Sequence, residues 1–112
     1  MNVEIFVTEN FQNKAKPLLK KFPTLKAELK LFESSLLLNP KQGKSLGKNL
    51  FKLRLASKSK GKGKSGGFRI IYLVILEEAP KKYSVYLLSI YDKSDVANLS
   101  DKELKSLVED FL

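Results

Sequence analysis

Two residues are set apart from the other cations of this sequence, because Arg54 and Arg69 are the only arginines among 21 basic residues. Arg54 lies near the end of one apolar segment and Arg69 begins the next. A guanidinium can hold a phosphate through two parallel hydrogen bonds, whereas an ammonium acts as a point charge. The restriction of arginine to these two positions therefore indicates a phosphate site. The alternatives are a structural ion pair with Glu77 or Glu78, or chance in a lysine-rich composition.

A stretch without acidic residues surrounds the two arginines and extends from Glu33 to Glu77. It holds ten of the 21 basic residues, and its centre is a glycine-, lysine- and serine-rich loop over 57–67. A block of like charge repels itself unless a polyanion neutralises it, which predicts nucleic-acid binding. The alternative is a flexible, solvated hairpin tip. The loop cations predicted to bind RNA are Lys58, Lys60, Lys62 and Lys64.

The same loop contains a partial match to a nucleotide-binding P-loop. Gly63, Lys64 and Ser65 fit the last three positions of that motif, but Lys58 stands where its first glycine is required. A P-loop also leads into a helix, whereas the residues after this loop predict a strand. The P-loop interpretation is therefore rejected.

Acid–base chemistry in this chain cannot use histidine or cysteine, because the sequence has neither. The usual ligands of a metal site are then missing as well, and no metal or other cofactor is predicted. A lysine among other cations has a lowered pKa and can act as a base, and Lys93, Lys52 or a loop lysine could take this role. Tyr91 and Lys93 end the last predicted strand and could move a proton. For Tyr91 the alternative is a ring that only packs on the sheet.

The periodicity of apolar residues predicts an α+β fold, in which a small, mostly antiparallel sheet carries two N-terminal helices and one C-terminal helix. We expect one domain over residues 1–112. Pro17 is expected to kink or restart the first helix, Thr24 to cap the second, and Ser100 with Glu103 to form a capping box for the third. The predicted elements are a strand over Val3–Val7, helices over 11–22 and 25–36, strands over 50–56, 68–76 and 83–91, and a helix after Ser100.

Targeting features are not evident in the sequence. No apolar run approaches the roughly 20 residues of a membrane helix, and the first residues lack the pattern of a signal peptide. With the absence of cysteine, these features lead us to expect a cytoplasmic protein without membrane association.

Three motifs in this order resemble the HigB branch of the RelE/ParE toxin superfamily. They are 51–56 (FKLRLA), the loop with the strand start over 61–72 (GKGKSGGFRIIY), and 86–93 (YLLSIYDK). The resemblance implies a RelE-like fold and a ribosome-dependent endoribonuclease that cuts messenger RNA. It also implies a cognate antitoxin, the other protein of a type II toxin–antitoxin pair. No small-molecule cofactor is implied.

The resemblance also suggests roles for individual residues. Lys52 and Arg54 match the basic strand residues near the scissile phosphate, and Arg69 matches the arginine that stabilises the transition state. Lys93 stands where RelE has an arginine. RelE has a tyrosine in its C-terminal segment, but 94–112 contains none, and Tyr91 is the candidate substitute.

The implied reaction needs no metal and produces a 2′,3′-cyclic phosphate and a free 5′-hydroxyl. Two alternatives remain open from the sequence. One is a toxin of the ParE branch, which poisons DNA gyrase, and the other is a non-catalytic module that binds RNA or the ribosome.

Overall fold

A computed structural model describes residues 2–61, 66–96 and 98–111 of the chain. The elements follow the predicted order with one addition. This is a short strand over Lys44–Gly47, before the two strands that flank the loop, and its residues show no alternating pattern that would predict it. The elements are β1 (Val3–Val7), α1 (Glu9–Lys21), α2 (Leu25–Leu38), β2 (Lys44–Gly47), β3 (Leu50–Leu55), β4 (Phe68–Glu78), β5 (Lys81–Asp92) and α3 (Asp101–Phe111).

The strands of the described residues form one five-stranded sheet in the order β1-β5-β4-β3-β2. The pair β1–β5 is parallel, whereas the other three pairs are antiparallel. The predicted α+β fold with a mostly antiparallel sheet is therefore confirmed. The register of the three central strands decides which side chains meet in the candidate site.

Both faces of the sheet are covered, as the nearly continuous apolar run of β4 predicted. On one face Ile70 and Tyr72 pack with Phe32 and Leu36 of α2. On the other face Ile71 and the residues around it pack under α3. No residue of α3 is fully buried, so this helix is the least embedded of the described helices.

The capping box predicted for α3 is confirmed, because Ser100 and Glu103 bond to each other's backbone N–H. Thr8, which was not predicted as a cap, caps α1 by accepting a hydrogen bond from the N–H of Phe11. A restart at Pro17 does not occur, because α1 continues through it. Proline has no backbone N–H, so one helical hydrogen bond is lost there, and burial of Phe11 and Ala15 on the sheet offsets this loss.

None of the described helices combines the length and apolar character needed to cross a bilayer.

Candidate active site

Arg54, Arg69 and Tyr91 lie side by side on three neighbouring strands. Arg54 of β3 is directly opposite Arg69 of β4, and Arg69 is directly opposite Tyr91 of β5. Opposite residues of an antiparallel pair project from the same face of the sheet. The three side chains therefore form a row on the α3 face, where Tyr91 is part of the core.

Three lysines lie next to this row. Lys52 is two residues before Arg54 and so shares its face, and Lys44 of β2 is directly opposite Lys52. Lys93 follows β5, and its backbone N–H donates to the carbonyl of Gly67 at 3.1 Å, beside the end of the loop. We call Lys44, Lys52, Arg54, Arg69 and Lys93 the cationic cluster.

The amine of Lys52 has the surroundings of a base. Burial lowers its pKa, and the charges of Lys44, Arg54, Arg69 and Lys93 lower it further, in that order. Its Nζ donates to Oδ1 of Asn98 at 3.1 Å, which holds the amine in place. A neutral lysine amine can accept a proton. Among the lysines that the sequence left open as a base, Lys52 therefore has the lowered pKa that this role requires.

The two arginines occupy different environments. Arg54 is exposed, so its guanidinium can meet a phosphate from solvent. Arg69 is only 3% exposed, and its Nη1 donates to the carbonyl of Phe68 at 3.2 Å. Burial and the charge of Arg54 lower the pKa of Arg69. Arg69 is therefore a buried charge beside Arg54. Neither arginine has a carboxylate of Glu77 or Glu78 opposite it in the sheet.

Tyr91 is enclosed beneath α3. Its hydroxyl is buried and has no hydrogen-bond partner within the described ranges. Burial raises the pKa of Tyr91, the charge of Arg69 lowers it in part, and Glu103 raises it. The ring packs in the core beneath α3, in agreement with the alternative that the sequence left open. In this conformation the phenol cannot meet an RNA strand.

The start of the loop is attached to α2. Thr24 was predicted to cap α2, but its side chain makes no capping bond. Its hydroxyl lies 2.6 Å from the hydroxyl of Ser59 and accepts the backbone N–H of that serine at 3.0 Å. The backbone N–H of Lys58 also donates a hydrogen bond to Oε2 of Glu28, on α2, at 2.8 Å. The Lys58 residue itself is exposed, as an RNA-binding cation requires, whereas Lys62 and Lys64 lie outside the described residues.

Lys60 differs from the solvated loop cation that the sequence predicted. Its Nζ lies 2.7 and 2.8 Å from the two carboxylate oxygens of Asp92, and the side chains are 10% and 4% exposed. The ammonium also lies over the rings of Phe22 and Phe68. The reason for the difference is that the buried carboxylate of Asp92 on β5 requires a counter-charge, and the ammonium of Lys60 supplies it through charge-assisted hydrogen bonds. Lys60 fixes the loop to the sheet, so its charge is already neutralised.

This buried ion pair predicts a large stability effect. Lys60→Met leaves Asp92 buried without a counter-charge and should lower the free energy of unfolding by about 3–5 kcal/mol. Lys60→Met with Asp92→Asn should recover most of that loss. The measurement is urea unfolding, with Lys82→Met, which removes the exposed pair with Glu4, as the control of much smaller effect. Equal losses in the single and double variants would contradict a paired role.

The same pair predicts how stability depends on pH. Burial alone would raise the pKa of Asp92, but hydrogen bonds from Lys60 and Ser94 and the charge of Lys60 lower it below its ordinary value. A carboxyl group with a lowered folded-state pKa stabilises the fold above its unfolded-state pKa, and the contribution is lost as pH falls through the folded-state value. The advantage of wild type over the double variant should disappear in that acidic range.

Sequence reasoning missed three residues of this region. Lys44 is one of many lysines in the acid-free block, and only the β2–β3 register distinguishes it. Asn98 and Asp92 carry no local signal, because their partners Lys52 and Lys60 are 46 and 32 residues away in the chain. A prediction that pairs the segment over 44–47 with the strand over 50–56 as a hairpin could have found Lys44.

Comparison with known proteins agrees with the fold. No protein-family model matches the sequence. Among solved structures, the chain is similar to the toxin RelE of E. coli, determined in the free state as a mutant with two arginines replaced by alanine. The TM-score is 0.61 over 100% of both chains, at 21% sequence identity. The protein therefore has a RelE-like fold.

Proposed function

We propose that residues 1–112 form a single RelE-like domain that acts as a ribosome-dependent mRNA endoribonuclease, the toxin of a type II toxin–antitoxin pair. The observation that carries the proposal is the cationic cluster, which surrounds Lys52 with four further cations. The RelE-like fold supports the same conclusion.

The proposed chemistry is attack of a ribose 2′-hydroxyl on the adjacent phosphorus. Lys52 accepts the 2′ proton as the bond from O2′ to phosphorus forms, and Arg54, which is exposed, binds the charged phosphorane. Arg69, only 3% exposed, adds its positive charge from within the sheet. The bond from phosphorus to O5′ then breaks, and the leaving oxygen takes a proton from the enzyme. This leaves a 2′,3′-cyclic phosphate and a 5′-hydroxyl without a metal. We assign the proton donor to Lys93 rather than Tyr91, because the tyrosine hydroxyl is enclosed.

The proposed partners follow from the surface charge and from the resemblance. Messenger RNA in the ribosome supplies phosphates for Arg54 and for the exposed Lys58, and Lys62 and Lys64 are assigned to the same role. We leave Lys60 out of this set because Asp92 neutralises it. A cognate antitoxin would neutralise the toxin by blocking the cationic cluster or ribosome entry, and we place the protein in the cytoplasm.

One assay separates this proposal from its two alternatives. Purified protein is added to ribosomes translating a defined messenger, and RNA cleavage is measured beside ribosome binding and the supercoiling activity of DNA gyrase. We expect cleavage that requires the ribosome. Binding to ribosomes without cleavage would indicate the non-catalytic module, and inhibition of gyrase with intact messenger would indicate a ParE-like toxin.

A further inference from the structure

The edge strand β2 is held tightly against Lys52. The backbone N–H of Gly43 donates to the hydroxyl of Tyr72 at 3.0 Å. A Cβ atom at Gly43 would lie 2.8 Å from the carbonyl oxygen of Lys52 and 3.1 Å from the Tyr72 hydroxyl, closer than ordinary contacts allow. The residue that follows, Lys44, therefore begins β2 at a fixed position beside Lys52.

Lys44 and Lys52 share a depression at this edge of the sheet. It has a volume of about 370 Å³ and is lined by Gln42, Gly43, Lys44, Lys52, Leu53 and Arg54. Three of these six residues are cations and none is acidic. Because Lys44 is directly opposite Lys52, its charge acts on that amine across a single strand pair.

Lys48 provides a comparison within the same block. It lies in the β2–β3 turn, with a φ of 51°, and lines a different groove, against Leu104 and Lys105 of α3. Its charge is not among those that lower the pKa of Lys52, whereas Lys44 makes the largest contribution after burial. Two exposed lysines four positions apart thus differ in their relation to the candidate base.

We propose that Lys44 is a positioning residue of the candidate active site, whose charge keeps Lys52 ready to accept a proton. The proposal rests on the function proposed above, in which Lys52 is the base. Lys44 acts through Lys52 and needs no contact with the RNA. Lys58, by contrast, is expected to contribute only by binding phosphate of the RNA.

The first test uses the isolated protein and does not depend on cleavage. The protonation of Lys52 is followed by NMR titration of its labelled side chain in wild type, Lys44→Met and Lys48→Met. Removal of a nearby positive charge makes the protonated amine less unfavourable, so the pKa of Lys52 should rise in Lys44→Met. It should stay at the wild-type value in Lys48→Met. The same titration curve in all three proteins would overturn the proposal.

The second test uses the cleavage reaction at saturating ribosomes. The rising limb of the single-turnover rate against pH should move to higher pH in Lys44→Met, in the same direction as the shift seen in the titration. Lys44→Arg should restore the wild-type profile, since it keeps the charge. A variant that loses ribosome affinity with an unmoved profile would show that Lys44 only binds RNA. If wild type does not cleave while the titration shift is present, the proposed function fails and the electrostatic link between the two lysines remains.

Discussion

Arg54→Ala is expected to lower the single-turnover rate of messenger cleavage at saturating ribosomes by about 10²–10³-fold, the usual effect of removing one charge-stabilising donor. Arg54 is exposed, so its truncation leaves no cavity and the fold should be unaffected. Ribosome affinity should change little if the guanidinium binds the phosphorane more strongly than the ground-state phosphate.

Controls at three positions separate catalysis from binding. Arg54→Lys should recover the rate only in part, because an ammonium cannot form the two-point contact. Lys58→Ala should weaken ribosome binding slightly and leave the rate at saturation unchanged. Arg69→Lys should also cut slowly, and it is preferable to Arg69→Ala because Arg69 is 3% exposed and truncation would leave a cavity. Wild-type cleavage at saturation by Arg54→Ala would show that Arg54 is not catalytic.

Lys52→Met is expected to lower the cleavage rate by about 10²–10⁴-fold, the range for loss of a general base. The pH dependence gives the direction: the wild-type rate should rise with pH as the amine of Lys52 loses its proton. Because the pKa of Lys52 is lowered, this rise should be centred below the pH at which an ordinary lysine titrates. In Lys52→Met the rise should be absent.

Lys52→Arg separates the loss of a base from the loss of a charge. The guanidinium keeps the positive charge and can bind phosphate, but it does not lose its proton in proteins. Lys52→Arg should therefore bind ribosomes like wild type and cut as slowly as Lys52→Met. If Lys52→Arg cuts at the wild-type rate, Lys52 contributes charge and the base is elsewhere. Circular dichroism of each variant checks that it folds.

Much of the candidate site could be predicted because it depends on local sequence. Alternation over 50–56 gives Lys52 and Arg54 one face, and the apolar run from Phe68 gives the partner strand that carries Arg69. Both arginines flank the same loop in the sequence, and two strands joined by a loop have few allowed registers. The register of the structure places Arg54 directly opposite Arg69.

The parts that could not be predicted depend on contacts between distant segments. The ion pair of Lys60 joins residues 32 positions apart, and the loop composition alone indicates a free cation there. Tyr91 is enclosed because α3 folds back over the end of β5, which no pattern in β5 indicates. The strand β2 has four residues, too few for a recognisable alternation.

The central claim is that Lys52 and its neighbouring cations promote attack of a ribose 2′-hydroxyl of the RNA on the adjacent phosphorus. The most direct measurement is the chemistry of the new RNA ends, from messenger cut on ribosomes and then transferred to a chelating buffer for mass analysis. The account predicts a 2′,3′-cyclic phosphate on one fragment and a 5′-hydroxyl on the other, with both formed far more slowly when Lys52→Arg replaces wild type. A 3′-hydroxyl beside a 5′-phosphate would contradict it.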